Sequence, residues 1–344
     1  MASACGACLV AAASAARLGA APPAAGVVGG NVAVGVGAVQ LDPVPHVPTV
    51  AINGVGGTVQ MPMAGLGVWQ YNDTRAEAAL KTALRVGYRM VDTALGYDNQ
   101  GGVGRALAEA FGSGALRRED VFITSKIPGG LPSANATQAL EQCLVQLGVE
   151  YVDLMLVHFP ASWGGVGGPA LRKEQWLAME AFAKKGKARA LGVSHYCPRH
   201  VEDVLSVATV PIAVNQVQYH VGMGTALENA TDGIAYDRQE GVVYQSFSPL
   251  CGPCGTTELI DGKMVTDIGA NHGKSGAQVS LRWQIQQGVP VIPKSDKESH
   301  LRDNLDLFDW TLSPKEMATL TAATSPPVSG TSEMPPTSGD CDVL

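Results

Sequence analysis

Asp92, Tyr97, Lys126 and His158 supply one carboxylate, one phenol, one ammonium and one imidazole, a set able to hold and deliver a proton at a polar substrate. A phenol ordinarily titrates near ~10, too high for easy proton exchange at neutral pH, and a neighbouring ammonium stabilises the phenolate and draws that value down. Lys126 is expected to do this for Tyr97. A buried lysine without a counter-ion tends to shed its proton, so a carboxylate such as Asp92 would keep it charged and oriented. His158 can hydrogen-bond a substrate oxygen and fix its position. Each residue also has an ordinary structural explanation: Asp92 as a cap, Tyr97 as a loop anchor, Lys126 as a strand-end side chain reaching solvent, His158 as a satisfied core histidine. Their joint meaning depends on the elements that carry them.

Those elements are regular from Val50 onward. Val50 to Asn53, a turn over Gly54 to Gly57, and Thr58 to Met61 read as a hairpin. Eight short apolar runs follow: Met63 to Val68, Met90 to Thr93, Val121 to Lys126, Val152 to His158, Ala188 to Val193, Ala213 to Tyr219, Val242 to Ser246 and Pro290 to Pro293. Between them, apolar residues recur at helical spacing in Thr74 to Val86, Val103 to Phe111, Thr137 to Leu147, Leu171 to Lys185, Arg199 to Val207 and Gln278 to Gln287. The interval after the sixth run, around Gly222 to Gly233, is the least helix-like. A last helical piece, Ser313 to Ala323, opens on Ser-Pro.

Alternating strands and helices predict parallel strands with right-handed crossovers, and eight such units close into a barrel. The expected fold class is α/β, a (β/α)8 TIM barrel with an N-terminal β-hairpin. A doubly wound sheet would need a glycine fingerprint after an early strand. Gly102-Val-Gly104 lacks the third glycine, and Gly35-Val-Gly37 lies too early. In a barrel the working residues gather at the carboxyl ends of the strands. Asp92 ends the second run, with Tyr97 in its loop, Lys126 ends the third and His158 the fourth.

Composition sets the outer bounds. The chain has 344 residues, 46% apolar and 16% charged, with a formal net charge of -7. Its length allows two domains or one barrel of about 250 residues with extensions. An acidic balance argues against nucleic acid, whose phosphates demand clustered Lys and Arg. No spanning helix is expected either, since the longest weakly polar stretch, Ala2 to Val39, is poor in Leu, Ile and Phe. Residues 1–47 form a low-complexity leader with Arg17 as its only basic residue, readable as a plastid-type transit peptide, a weak secretion signal or no address at all. The expected location is cytoplasmic or organellar. The expected domains are this leader, a barrel over 48–323 and an irregular Pro/Ser/Gly-rich tail over 324–344. The 7 cysteines show no disulfide framework. Cys251-Gly-Pro-Cys254 matches the dithiol motif of thioredoxin-like proteins, either by coincidence in a Gly/Pro loop or as a redox-sensitive clip.

Gly65-Leu-Gly-Val-Trp69, Gly87-Tyr-Arg-Met-Val-Asp-Thr-Ala-Leu-Gly-Tyr97, Ile123-Thr-Ser-Lys126, Asp153-Leu-Met-Leu-Val-His158, Gly192-Val-Ser194, Asn215-Gln-Val-Gln-Tyr-His220, Phe247-Ser-Pro-Leu250 and Ile292-Pro-Lys-Ser295 together resemble the aldo-keto reductase family in order and spacing, from about Val50 to Ala323. The resemblance implies NADPH-dependent reduction of an aldehyde or ketone, of the aldehyde reductase type, by a chain expected to be a monomer. It makes Tyr97 the proton donor, Lys126 and Asp92 the residues that tune it, and His158 the residue that orients the carbonyl. It gives Ser194 and Gln216 to the nicotinamide carboxamide and Phe247, where Tyr is usual, to the ring face. Gly67 and Val68 fall on the cofactor side of the first strand, Ser248, Leu250 and Gly252 in the pyrophosphate loop, and Lys294 and Ser295 at the adenosine 2'-phosphate. A cation beside that phosphate favours NADPH over NADH.

The departures from the family pattern are specific. His195 replaces an Asn and keeps a donor without an amide's paired donor and acceptor. His300 stands where an Arg often grips the 2'-phosphate, Asp303 and Asn304 fall at adenine positions, and Gln100 replaces a frequent Glu. Trp69, Phe159 and Trp163 are the candidate substrate walls, alongside Tyr97 and His158. The partner expected is a small carbonyl compound, and no metal is expected. Two other classes fit less of the pattern: a non-catalytic NADPH-binding barrel acting as a sensor or regulatory subunit, and a phosphate-binding barrel isomerase.

Overall fold

The computed structural model describes residues 41–43, 45–223 and 228–327, with 228–232 as backbone. Most of the leader, including Cys5, Cys8, Arg17 and the Gly35 segment, lies outside the described residues, as does the tail from 328 onward. Strands β1 (Thr49–Gly54) and β2 (Gly57–Pro62) pair antiparallel in the register Ile52 to Val59, forming the expected hairpin. Seven parallel strands follow in sequential order: β3 (Leu66–Gly67), β4 (Met90–Asp92), β5 (Phe122–Ile127), β6 (Val152–Val157), β7 (Ala188–Ser194), β8 (Ile212–Gln218) and β9 (Val243–Phe247). The eighth position is a single residue wide. Val291 bridges Ala64 on one side and Ser246 on the other. The Val291 N–H donates to Met63 O at 2.9 Å, and the Gly65 N–H donates to Val291 O at 3.0 Å. Pro290 and Pro293 explain this brevity, since each lacks the N–H that a longer ladder requires.

The helices are α1 (Asp73–Val86), α2 (Gln100–Gly112), α3 (Ser133–Leu147), α4 (Pro169–Ala183), α5 (Pro198–Leu205), α6 (Glu228–Gln239), α7 (Glu258–Asp261), α8 (Lys263–His272), α9 (Gly276–Gln286), α10 (Glu298–Leu305) and α11 (Pro314–Thr321). Local chemistry sets their ends. The Asn72 side chain accepts from the Arg75 N–H at the start of α1, and Gly87 at φ 114 closes it. Ser275 with Gln278 and Ser313 with Glu316 are reciprocal capping boxes. Helix α6 occupies the interval that looked least helical, because its opening Asn, Thr, Asp and Gly are poor helix formers. Helices α8 and α10 open without a side-chain cap and are not expected from periodicity.

The hairpin shares a core with the barrel interior: Ile52, Val59 and Met61 join Met90, Phe122, Leu154, Ala190 and Val214. A larger apolar layer lies between strands and helices, including Leu80, Leu107, Leu140 and Met179. Gly102 and Gly104 serve this layer. A Cβ at Gly102 would sit 1.9 Å from Asp73 O, and one at Gly104 2.7 Å from Leu147 O, so these glycines allow helices to approach closely rather than cradle a phosphate. No helix among the described residues is long and apolar enough to cross a membrane.

Candidate active site

Strand register brings the four residues together. Asp92 pairs with Thr124 and Lys126 with Leu156 across parallel strands, so Asp92, Lys126 and His158, the residue after β6, reach one end of the sheet. Tyr97 closes a single 3-10 turn, Leu95–Tyr97, beyond β4. Asn99, which the sequence did not single out, holds that turn from behind. Its buried amide donates to Val68 O and Tyr71 O, both at 2.9 Å, and accepts from Thr93 Oγ1 at 2.8 Å. Gln100, the departure with no readable consequence, accepts from Ser125 Oγ at 2.6 Å and donates to Gln146 Oε1 at 2.9 Å, tying α2 to β5 and α3.

Lys126 is 0% exposed and Asp92 2%. The Lys126 ammonium is ion-paired to Asp92 Oδ1 and donates to Thr93 O at 3.1 Å and to the Tyr97 hydroxyl at 3.3 Å. Its three protons therefore meet three acceptors. The second Asp92 oxygen accepts from Gln216 Nε2 at 2.8 Å, and Gln216 also donates to Gln245 Oε1 at 2.8 Å. Burial draws the Lys126 ammonium below the ordinary lysine range, and the Asp92 charge opposes this.

Tyr97 corrects an expectation. Burial first, and then the Asp92 charge, push its phenol well above the ordinary value of 10.0. The Lys126 ammonium favours the phenolate, but it reaches the phenol as half of an ion pair whose negative member offsets it, so the net direction stays upward. The phenol consequently keeps its proton at neutral pH. His158 Nε2 lies 3.5 Å from the Tyr97 oxygen. Burial, then the Lys126 charge and the adjacent His195, hold His158 well below 6.5, so its imidazole is neutral.

One wall is a run of rings. His158 stacks on Phe159 at 4.5 Å, Phe159 on His195 at 4.4 Å, and His195 meets Phe247 at 4.7 Å. Trp163 lies 5.1 Å from Phe159 and is 60% exposed. His195 thus packs through its ring between Phe159 and Phe247. Burial and the Lys126 charge draw it from 6.5 to about 3. Hydrogen-bond reasoning alone missed this stack, although aromatic and His residues at the ends of β6, β7 and β9 were its signal.

The residues expected at the cofactor divide into two groups. Ser194 is buried and donates to Gln216 O at 2.8 Å, and Phe247 is half-buried at the end of β9. Ser248 (φ 47) and Cys251 (φ 51) are left-handed, Leu250 is half-buried, and Gly252 is exposed with open space around its missing Cβ. Lys294 is exposed, donates to Gln70 Oε1 at 2.7 Å and forms no ion pair among the described residues. Its ammonium lies 5.9 Å from the half-buried Trp69 ring and 5.4 Å from Tyr71. Burial and then the nearby Arg75 charge lower it, and the Asp296 carboxylate opposes them. Ser295 Oγ accepts from the Lys297 N–H at 3.2 Å. His300 and Asp303 are exposed on α10.

Three more of the expected positions are tied into the fold. The Gly67 N–H is taken by Pro293 O at 3.2 Å, and the Val68 N–H by Asp92 O at 3.1 Å. Asn304 is buried on α10. The unpaired cation, open glycine turn and half-exposed aromatic face nonetheless fit the phosphates and ring of a nicotinamide dinucleotide phosphate.

The comparisons with known proteins agree on one family. A family model described as "Aldo/keto reductase family" matches residues 56–325. The "Glyoxal reductase" of Bacillus subtilis (strain 168) is 38% identical over 261 residues, covering 75% of this chain and 87% of that protein. "Aldo-keto reductase family 1 member A1" of Homo sapiens is 35% identical over 288 residues, 76% of this chain and 86% of that protein. Among solved structures, an aldo/keto reductase from Brucella melitensis superposes with a TM-score of 0.71 at 31% identity, covering 80% of this chain and 99% of the other.

Proposed function

The chain belongs to the aldo/keto reductase family, an oxidoreductase family acting on small carbonyl compounds, and from that premise we propose that it reduces aldehydes or ketones to alcohols with NADPH. The observation that carries this reading is the convergence on the Tyr97 oxygen of the Lys126 ammonium at 3.3 Å and the His158 imidazole at 3.5 Å. NADPH, when bound, supplies hydride to the carbonyl carbon. The protein does the rest. Tyr97, protonated at rest, gives its proton to the oxygen as negative charge develops there, and Lys126 stabilises the phenolate left behind. Asp92 and Gln216 hold Lys126 in place, and neutral His158 orients the carbonyl by hydrogen bonding. Lys294 would meet the 2'-phosphate, Phe247 the nicotinamide ring, and Ser194, His195 and Gln216 its carboxamide. Both Gln216 amide protons are committed within the chain, so its carbonyl oxygen is the end offered. Trp69, Phe159 and Trp163 would bound the substrate.

An intact four-residue set favours this over a non-catalytic sensor. The test is NADPH and NADH consumption with sugar aldehydes, aliphatic aldehydes and ketones, with Tyr97→Phe as the comparison. Turnover with NADPH that collapses in Tyr97→Phe is expected. Wild-type turnover no faster than Tyr97→Phe across the panel would sink the proposal.

A further inference from the structure

The Cys251-Gly-Pro-Cys254 motif plays no part in the chemistry above, and the structure gives it a setting. Cys251 and Cys254 are joined as a disulfide across a single 3-10 turn, with their Cα atoms 5.3 Å apart. That spacing lies in the range a disulfide requires. The two sulfurs are not equivalent: Cys251 is fully buried, whereas Cys254 is half-buried. Two other segments meet the pair. Cys254 Sγ lies 3.6 Å from Pro327 O and 3.9 Å from Nε2 of His220, which follows β8. His220 Nδ1 lies 2.8 Å from Val221 O, an acceptor only, so Nδ1 carries the proton and the Nε2 lone pair accepts from Gln218 Nε2 at 3.2 Å, with the Cys254 sulfur beside it at 3.9 Å. The bridge also spans the turn after β9 that holds the left-handed Cys251 and the open Gly252.

We propose that Cys251 and Cys254 form a reversible dithiol–disulfide switch, with Cys254 as the sulfur exchanged, that controls the turn after β9. The oxidant is another disulfide, small or protein-borne. In oxidation the Cys254 thiolate attacks it, forming a mixed disulfide and releasing one thiolate. The Cys251 thiolate then attacks Cys254 Sγ, closing the bridge and releasing the second thiolate. Two protein thiols lose two electrons and the incoming disulfide becomes two thiols, which take up the protons released. A dithiol reverses the sequence by attacking Cys254, the accessible sulfur. Because Ser248, Leu250 and Gly252 are the residues proposed for the pyrophosphate, closing the bridge restrains that turn and weakens NADPH binding. This coupling rests on the functional reading above, whereas the thiol chemistry does not.

The native full-length chain is equilibrated in mixtures of reduced and oxidised dithiothreitol. Alkylation at Cys251 and Cys254 is read by mass spectrometry, hydrogen exchange over 248–256 by the same method, and NADPH affinity by fluorescence. Both cysteines should become alkylatable together and reversibly, with faster exchange over the turn when reduced. NADPH should bind at least about fivefold more weakly to the bridged form, the lower end of typical coupling between sites. Cys254→Ser should bind NADPH like the reduced chain and ignore the oxidant. A bridge that dithiothreitol cannot open without denaturant, equal exchange in both states, or one zinc ion retained by the reduced chain through His220, Cys251 and Cys254 overturns the proposal. A pair that titrates with altered exchange in a chain that binds no NADPH refutes the functional reading and leaves the switch standing.

Discussion

Replacing Asp92 with Asn separates what the buried ion pair does for stability from what it does for chemistry. Asn is nearly isosteric with Asp, so the cavity is unchanged, but the Lys126 ammonium, 0% exposed, loses its only ion-pair partner among the described residues. At hydrogen-bond contact and an effective dielectric of ~20 the lost attraction is about 5 kcal/mol. Thr93 O and the Tyr97 hydroxyl still accept from Lys126, and the ammonium, already drawn down by burial, can shed its proton. The expected loss is therefore about 3–4 kcal/mol, in line with breaking one half of a buried pair. Asp92→Asn combined with Lys126→Met removes the stranded charge and should recover more than half of that loss. Its turnover should nevertheless stay about 100-fold or more below wild type, because nothing stabilises the Tyr97 phenolate. Urea unfolding midpoints and slopes for both single variants and the double variant give the cycle, and NADPH consumption gives the turnover. Asp92→Asn within about 1 kcal/mol of wild type would refute the reasoning, and so would a double variant no more stable than Asp92→Asn.

Lys294→Ala should weaken NADPH binding by about tenfold or more and leave NADH nearly unchanged, since one charge-assisted contact contributes about 1.5–3 kcal/mol; fluorescence titration of both cofactors checks this. Gly102→Ala should cost about 2–3 kcal/mol, because its Cβ would meet backbone Asp73 O at 1.9 Å and no flexible neighbour can yield; thermal or urea unfolding reads it. Glu180 gives a pH test. Burial alone would raise its carboxyl, but hydrogen bonds from Lys184, Thr209 and the Val210 and Thr209 N–H groups outweigh it, and the value falls from 4.5 to about 2. A folded value below the unfolded one means stability present above pH ~4.5 and lost as pH falls toward 2, on the order of 3 kcal/mol for this 2%-exposed side chain. Unfolding midpoints of wild type and Glu180→Gln at pH 5 and pH 3 should therefore converge at the lower pH, and parallel curves would refute the assignment.

The sequence by itself determined the barrel, its hairpin and the four residues at successive strand ends. That legibility has a physical source. A barrel strand buried on both faces is a short apolar run, and each candidate side chain sits at the end of such a run or, for Tyr97, in the turn that follows it. Helices α1, α3 and α9 were legible because their apolar stripes follow the helical period, whereas α6 and α10, opening on poor helix formers or lacking a cap, were not.

Only the tertiary structure decided the electrostatics and the partners. Lys126 beside Tyr97 suggested a lowered phenol; the fold adds burial and the Asp92 charge at the same point, and the sign reverses. His195 read as a substituted hydrogen-bonding residue, and its place between Phe159 and Phe247 depends on three strands meeting. Asn304 read as a ligand contact, and only the fold shows that it is buried on α10. Cys251 and Cys254 read as a motif, and only packing brings His220 and Pro327 to them. Each of these depends on distances between residues far apart in the chain, which residue type and spacing do not encode. Spacing names the groups that reach an end of the barrel, and packing sets the dielectric, the neighbouring charges and the rings against which each one acts.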